Sequence, residues 1–127
     1  DPALAETVHW QFPAEPISVQ DVRGVMRRWL HRRGIDGHTA FDIVVACDEA
    51  CANAVEHGSP SASANVDLTM SIDDAGSVVV SVADEGGWRP STREDEPGYG
   101  LALMEALMSS VSVESGDDGT VVRLERR

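Results

Sequence analysis

The sequence predicts an α+β fold: a two-layer sandwich with a mixed, mostly antiparallel sheet and helices on one face. Three observations carry this. Two long stretches in the first half have helical periodicity. Two pairs of apolar-rich runs are each joined by an Asp/Gly turn, which makes hairpins and therefore antiparallel neighbours. One further helical stretch separates those pairs, so the order is β, α, α, β, β, loop, α, β, β.

Each element has its own signature. Val8, Trp10 and Phe12 alternate with polar residues and predict a first strand, broken across Pro13 to Pro16. Ser18 is placed to cap a helix running to about Arg33, closed by Gly34. Its apolar stripe is Val22, Val25, Met26, Trp29 and Leu30. A second helix is expected from about Gly37 to His57, stopped by Gly58 and Pro60. Runs 65–72 and 77–83 read as strands around the turn Asp73-Asp74-Ala75-Gly76. The stretch from Asp84 to Pro97 is rich in Gly, Pro and charge and has no periodicity, the profile of a long functional loop. A third helix is expected over 99–109. A closing hairpin over 111–114 and 120–125 turns at Asp117-Asp118-Gly119.

Composition narrows the function. The chain of 127 residues is expected to form one domain, with 42% apolar and 25% charged residues. It opens on Asp1 rather than Met, so a longer parent protein is expected. No apolar run reaches the ~20 residues of a membrane span, and a membrane role is not expected. A formal net charge of −12 repels phosphate backbones, which argues against nucleic acid as a partner. All ten basic residues are Arg, so neither a P-loop Lys nor a Schiff-base Lys is available. Cys47 and Cys51 lie one helical turn apart. A zinc site with His57 lacks a fourth ligand, and two small core residues in a reducing, cytoplasmic compartment fit better.

Three constellations carry chemistry. On the second helix Glu49, Asn53 and Glu56 fall within a wedge of about 60° at helical spacing, opposite Ile43, Cys47, Ala50, Cys51 and Ala54. A carboxylate and an amide one turn apart suit a magnesium–water site, though any amphipathic helix has a polar face. Next, Asp84-Glu85-Gly86-Gly87-Trp88 puts an acid at a strand end before two glycines. Such an acid can accept a hydrogen bond from an exocyclic amine such as adenine N6. Finally, Gly98-Tyr99-Gly100-Leu101 opens a helix with free N–H groups, a phosphate-binding device that needs no Lys.

In this order and at these separations the three resemble the boxes of the GHKL superfamily of ATP-binding domains, which type II topoisomerases, a heat-shock chaperone, histidine kinases and mismatch-repair proteins share. Glu49, Asn53 and His57 look like the first box, Asp84 and Gly86 the second, Gly98 and Gly100 the third. Gly119-Thr120 matches a fourth element, a Thr near adenine. The strings Asp-Glu-Ala-Cys-x-Asn-Ala-Val-Glu-His and Gly-x-Gly-Leu-x-Leu-Met are most similar to the anti-sigma-factor serine kinases.

That resemblance implies Mg-ATP as the nucleotide, with Glu49 as general base and Asn53 as magnesium ligand. Asp84, Gly86 and Thr120 would lie at adenine, and Gly98, Gly100 and Leu101 at the phosphates. It implies a sigma factor and a STAS-type anti-anti-sigma protein or domain as partners, and a homodimer is compatible with it. Residues 86–97 would form the ATP lid, with Arg89 and Arg93 reaching phosphate oxygens on closure. One departure is visible: Trp88 stands where the second box often has a second Gly, and Arg89-Pro90 suggests a short lid. His57 is expected to end the helix rather than to react. The Arg-rich face of the first helix, with Arg23, Arg27 and Arg28, is expected to dock acidic partners. Two rival readings are an ATP-bound switch without phosphotransfer and a histidine-kinase catalytic domain. Glu49 disfavours the second, because His needs no base to be deprotonated.

Overall fold

The computed structural model describes residues 1–57, 65–85, 99–116 and 119–127. Five strands form one antiparallel sheet: β1 (Val8–Pro13), β2 (Asn65–Ile72), β3 (Val78–Asp84), β4 (Ser110–Gly116) and β5 (Gly119–Arg126). Their order across the sheet is β1-β2-β3-β5-β4. Three helices, α1 (Pro16–Arg32), α2 (Gly37–His57) and α3 (Tyr99–Leu107), complete the second layer. The architecture is α+β, as the hairpin pattern requires.

Alternation of side chains along the strands decides which face is covered. Phe12, Val66, Leu68, Met70, Val80, Val82, Val122 and Leu124 are buried and form one core with α1 and α2. Gln11, Val121 and Arg123, on the other phase of the alternation, are exposed. From α2 the core receives Ile43, Cys47, Ala50, Cys51 and Ala54. The small Cys47, Ala50, Cys51 and Ala54 let α2 lie close to β3 and β5, and the helix also packs on α1 and α3. Trp29 is fully buried and donates its indole N–H to the Ala5 carbonyl at 3.0 Å, which fastens the N-terminal turn at Pro2–Leu4 to α1. Arg33 stacks over the Trp29 ring at 5.6 Å.

Two local expectations are corrected. Ser18 does not cap α1: it is buried inside the helix, Glu15 is the N-cap, and Pro16 occupies the first turn. A proline at N1 has its φ already set for a helix and no N–H to satisfy, so it starts the helix earlier than a hydroxyl would. The last hairpin is longer than periodicity shows, with β4 from Ser110 to Gly116. Gly34 does close α1: it has φ 76°, and Ile35 N–H reaches back to the Leu30 carbonyl at 2.9 Å. The expected turn at Asp73–Gly76 is present, held by the Asp73 carboxylate accepting from Ala75 and Ser77 N–H.

Candidate nucleotide site

The first half of the site is where α2 meets the start of α3. Glu49 and Asn53 are half-buried on the side of α2 away from the core residues Ala50, Cys51 and Ala54. Gly100, in the first turn of α3, packs directly against them. A Cβ on Gly100 would lie 3.3 Å from Asn53 Nδ2 and 3.8 Å from Glu49 Oε1. A bare backbone therefore brings the helix start, with its outward N–H groups and positive dipole end, next to a carboxylate and an amide. Leu101, the next residue, packs against the core and fixes the seat of α3.

The second half lies at the end of the sheet. Asp84 is in register with Thr120, and Thr120 with Ser115, so β3, β5 and β4 place three polar residues in one row. The row has the same phase as Val82 and Val122, which face the helices. Thr120 is only 2% exposed, and its Oγ1 lies 3.1 Å from Ser115 Oγ. Gly119 has φ 120°, and a Cβ there would run into the Asp84 backbone carbonyl. Only glycine lets β5 begin this close to the end of β3.

A cavity of about 510 Å³ lies at this end of the sheet; the row borders it, but Gln11, Asp67, Ala83, Val121 and Glu114 line it from the sheet face away from the helices. Four carboxylates border it, those of Asp67, Asp84, Glu85 and Glu114. The N-terminus of α3 is the part of the site with N–H donors suited to an anion. The donor set therefore fits Mg-ATP: oxygen ligands for a hard cation on α2, N–H groups for anions, a carboxylate and hydroxyls for the purine.

Gly86, Arg89, Arg93 and Gly98, and with them the proposed lid, lie outside the described residues. So does the side chain of His57. Sequence reasoning missed Ser115, which belongs to none of the three boxes. Its alternation with Val111 and Val113 was the available signal. Cys47 and Cys51 are buried with sulfurs 3.9 Å apart. The hydrogen bond with Cys51, then burial, pushes the Cys47 thiol well above its ordinary value.

On α1, Arg23 forms a forked ion pair with Asp48 of α2 at 3.1 Å, and Arg28 pairs with Asp1 at 3.3 Å. Arg27 is exposed beside a cavity of about 200 Å³ floored by Ile35, Ala40 and Val44, with Phe41, 65% exposed, at its edge.

This fold and this pairing of an acid-and-amide helix with an acid-and-threonine sheet end define a class. The chain belongs to the histidine kinase-like ATPase domain family, whose model matches residues 12–126. It falls in the serine-kinase branch of that family. It is 32% identical to the serine-protein kinase RsbW of Bacillus velezensis, over 90% of this chain and 81% of that protein. It is 30% identical to RsbW of Bacillus subtilis, over 92% and 83%. Among solved structures it resembles the RsbU and RsbW domains of a Mycobacterium tuberculosis protein, with a TM-score of 0.79 and 31% identity. The match covers 97% of this chain and 32% of that one, so the chain spans about a third of that structure.

Proposed function

We propose that this chain is an anti-sigma-factor-type protein serine kinase that binds Mg-ATP and transfers its γ-phosphoryl group to a Ser of a STAS-type anti-anti-sigma partner. The observation that carries the reading is the close approach of Gly100 to Asn53 and Glu49. It puts a phosphate-binding helix start beside a candidate metal ligand and a candidate base. The likeness to RsbW supports the choice of Ser as acceptor.

In this reading Asn53 would hold magnesium through its side-chain oxygen, and a cation bound there would supply positive charge against the phosphates. The N–H groups at the start of α3, at Gly100 and Leu101, hold the phosphate end. Asp84 accepts from the adenine amine, with Gly86 and Thr120 beside the ring. Glu49 takes the proton of the partner's Ser hydroxyl as its oxygen bonds to the γ-phosphorus. The bond from that phosphorus to the bridging oxygen breaks, and ADP leaves. A sigma factor is held by the same domain. Arg27, exposed beside Phe41, is the basic contact for an acidic partner, since Arg23 and Arg28 are already engaged within the chain.

A phosphotransfer assay beside an ATP titration tests this. Glu49→Gln keeps size and hydrogen-bonding shape but cannot take a proton. It should leave ATP affinity within a few-fold of wild type and slow Ser phosphorylation by about 10²–10⁴-fold. Normal transfer by that variant would move the base elsewhere, with Glu56 on the same wedge next in line. If the wild-type domain transfers no phosphate to such a partner, the ATP-bound switch replaces the kinase reading.

A further inference from the structure

α3 is tied to α2 at both of its ends. At its start, Gly100 packs on Asn53 and Glu49. At its far end, Arg126 of β5 bridges the two helices through one nitrogen. Nη1 donates to Asp42 Oδ2 of α2 at 2.7 Å and to the Leu107 carbonyl of α3 at 2.6 Å. That carbonyl is one of those a helix C-terminus leaves without a partner inside the helix, and a cation there also meets the negative end of the dipole. The Arg126 and Asp42 side chains are only 23% and 22% exposed, so solvent and salt screen the pair less than a surface one.

Between its ends α3 is held by apolar side chains, with Met104 fully buried and Leu101 and Leu107 packed against the core. Apolar burial is non-directional: it keeps the helix on the core but fixes its position along its own axis only weakly. A short, charge-assisted hydrogen bond at the C-terminus does fix it. Within one helix a shift at Leu107 is carried to Gly100, roughly 10 Å away.

We propose that Arg126 is a positioning residue for the phosphate end of the nucleotide. By tying Leu107 to Asp42 it sets where the N–H groups of Gly100 and Leu101 stand relative to Asn53 and Glu49. It acts on the nucleotide only through α3. The base end depends on the register of β3 with β5, which a change of side chain at the far end of β5 leaves intact. Loss of Arg126 is therefore felt by the phosphates and not by the base. This inference rests on the nucleotide reading above.

The test is a calorimetric titration with Mg-ATP beside an NMR titration with adenosine, which lacks phosphates. Both are run on wild type, Arg126→Met, Asp42→Ala and the double variant, at a temperature where melting curves show each one folded. Arg126→Met should weaken Mg-ATP about five- to tenfold, the scale on which residues away from a ligand alter its binding. Adenosine affinity should not change. Asp42→Ala releases the other end of the bridge and should also weaken Mg-ATP. The double variant should lose no more than Arg126→Met alone, because the two residues act as one unit. An equal loss for adenosine and Mg-ATP would make Arg126 a general stabilising residue and overturn the proposal. So would unchanged Mg-ATP affinity in either single variant, or losses that add in the double variant. Failure of the nucleotide reading shows instead in the wild type, as no gain in affinity from adenosine to Mg-ATP, and takes the proposal with it.

Discussion

The two halves of the site are built by different means. At the sheet end, backbone register places Asp84, Thr120 and Ser115, and the neighbouring Gly119 lets the strands begin close together. At the helix end, Glu49 and Asn53 share a helical wedge, but their nearness to α3 depends on one residue without a side chain, Gly100. The sheet end is therefore sensitive to polarity, because removing a hydroxyl leaves the ladder intact. The helix end is sensitive to volume, because one methyl group falls where the two helices touch.

Substitutions can break that contrast. The largest effect in binding is expected from Asn53→Ala, which removes the oxygen ligand itself. Mg-dependent ATP affinity should fall on the order of a hundredfold, while binding without magnesium changes little. Titration with and without the metal checks this, and equal losses in both would remove Asn53 from the cation.

Gly100→Ala sharpens the comparison. In a helix Ala is favoured over Gly by roughly 0.5–1 kcal/mol, so the melting temperature should hold or rise. The added Cβ would press on Asn53 Nδ2. ATP affinity should therefore drop by about tenfold, a loss of ~1.4 kcal/mol. Stability and binding would move in opposite directions, and paired melting and calorimetry measure both. A variant that binds ATP normally would show that the helix end tolerates volume.

The smallest effect is expected away from both halves, at Arg27→Glu. The association rate with an acidic partner should fall several-fold at low salt and little at high salt, with ATP binding untouched. Stopped-flow or surface-based kinetics at two ionic strengths decide it. An unchanged rate at low salt would make the exposed Arg27 a solvated surface group.

Much of this was legible in the sequence because its signals are local. The α2 limits follow from Gly37 and the stop after His57, and β2 from alternation between Asn65 and Ile72. Glu49, Asn53 and Asp84 stood out because their residue types are chemically specific at that spacing. Three features were not legible. Pro16 competes with Ser18 for the helix start, and only backbone geometry settles which one wins. The turn at Pro2–Leu4 exists because Trp29 and Arg28 hold it from a distant helix. Ser115 gains its interest from Thr120 across a hairpin and Asp84 two strands away, a relation that only register creates.

The most direct test of the account is a calorimetric titration of the wild-type domain with ATP and GTP, each with and without magnesium. The Asp84 carboxylate facing an exocyclic amine should favour ATP over GTP by at least about tenfold, since guanine would set one acceptor against another. Magnesium should tighten ATP binding. Equal affinity for the two nucleotides, or no binding of ATP, would contradict it.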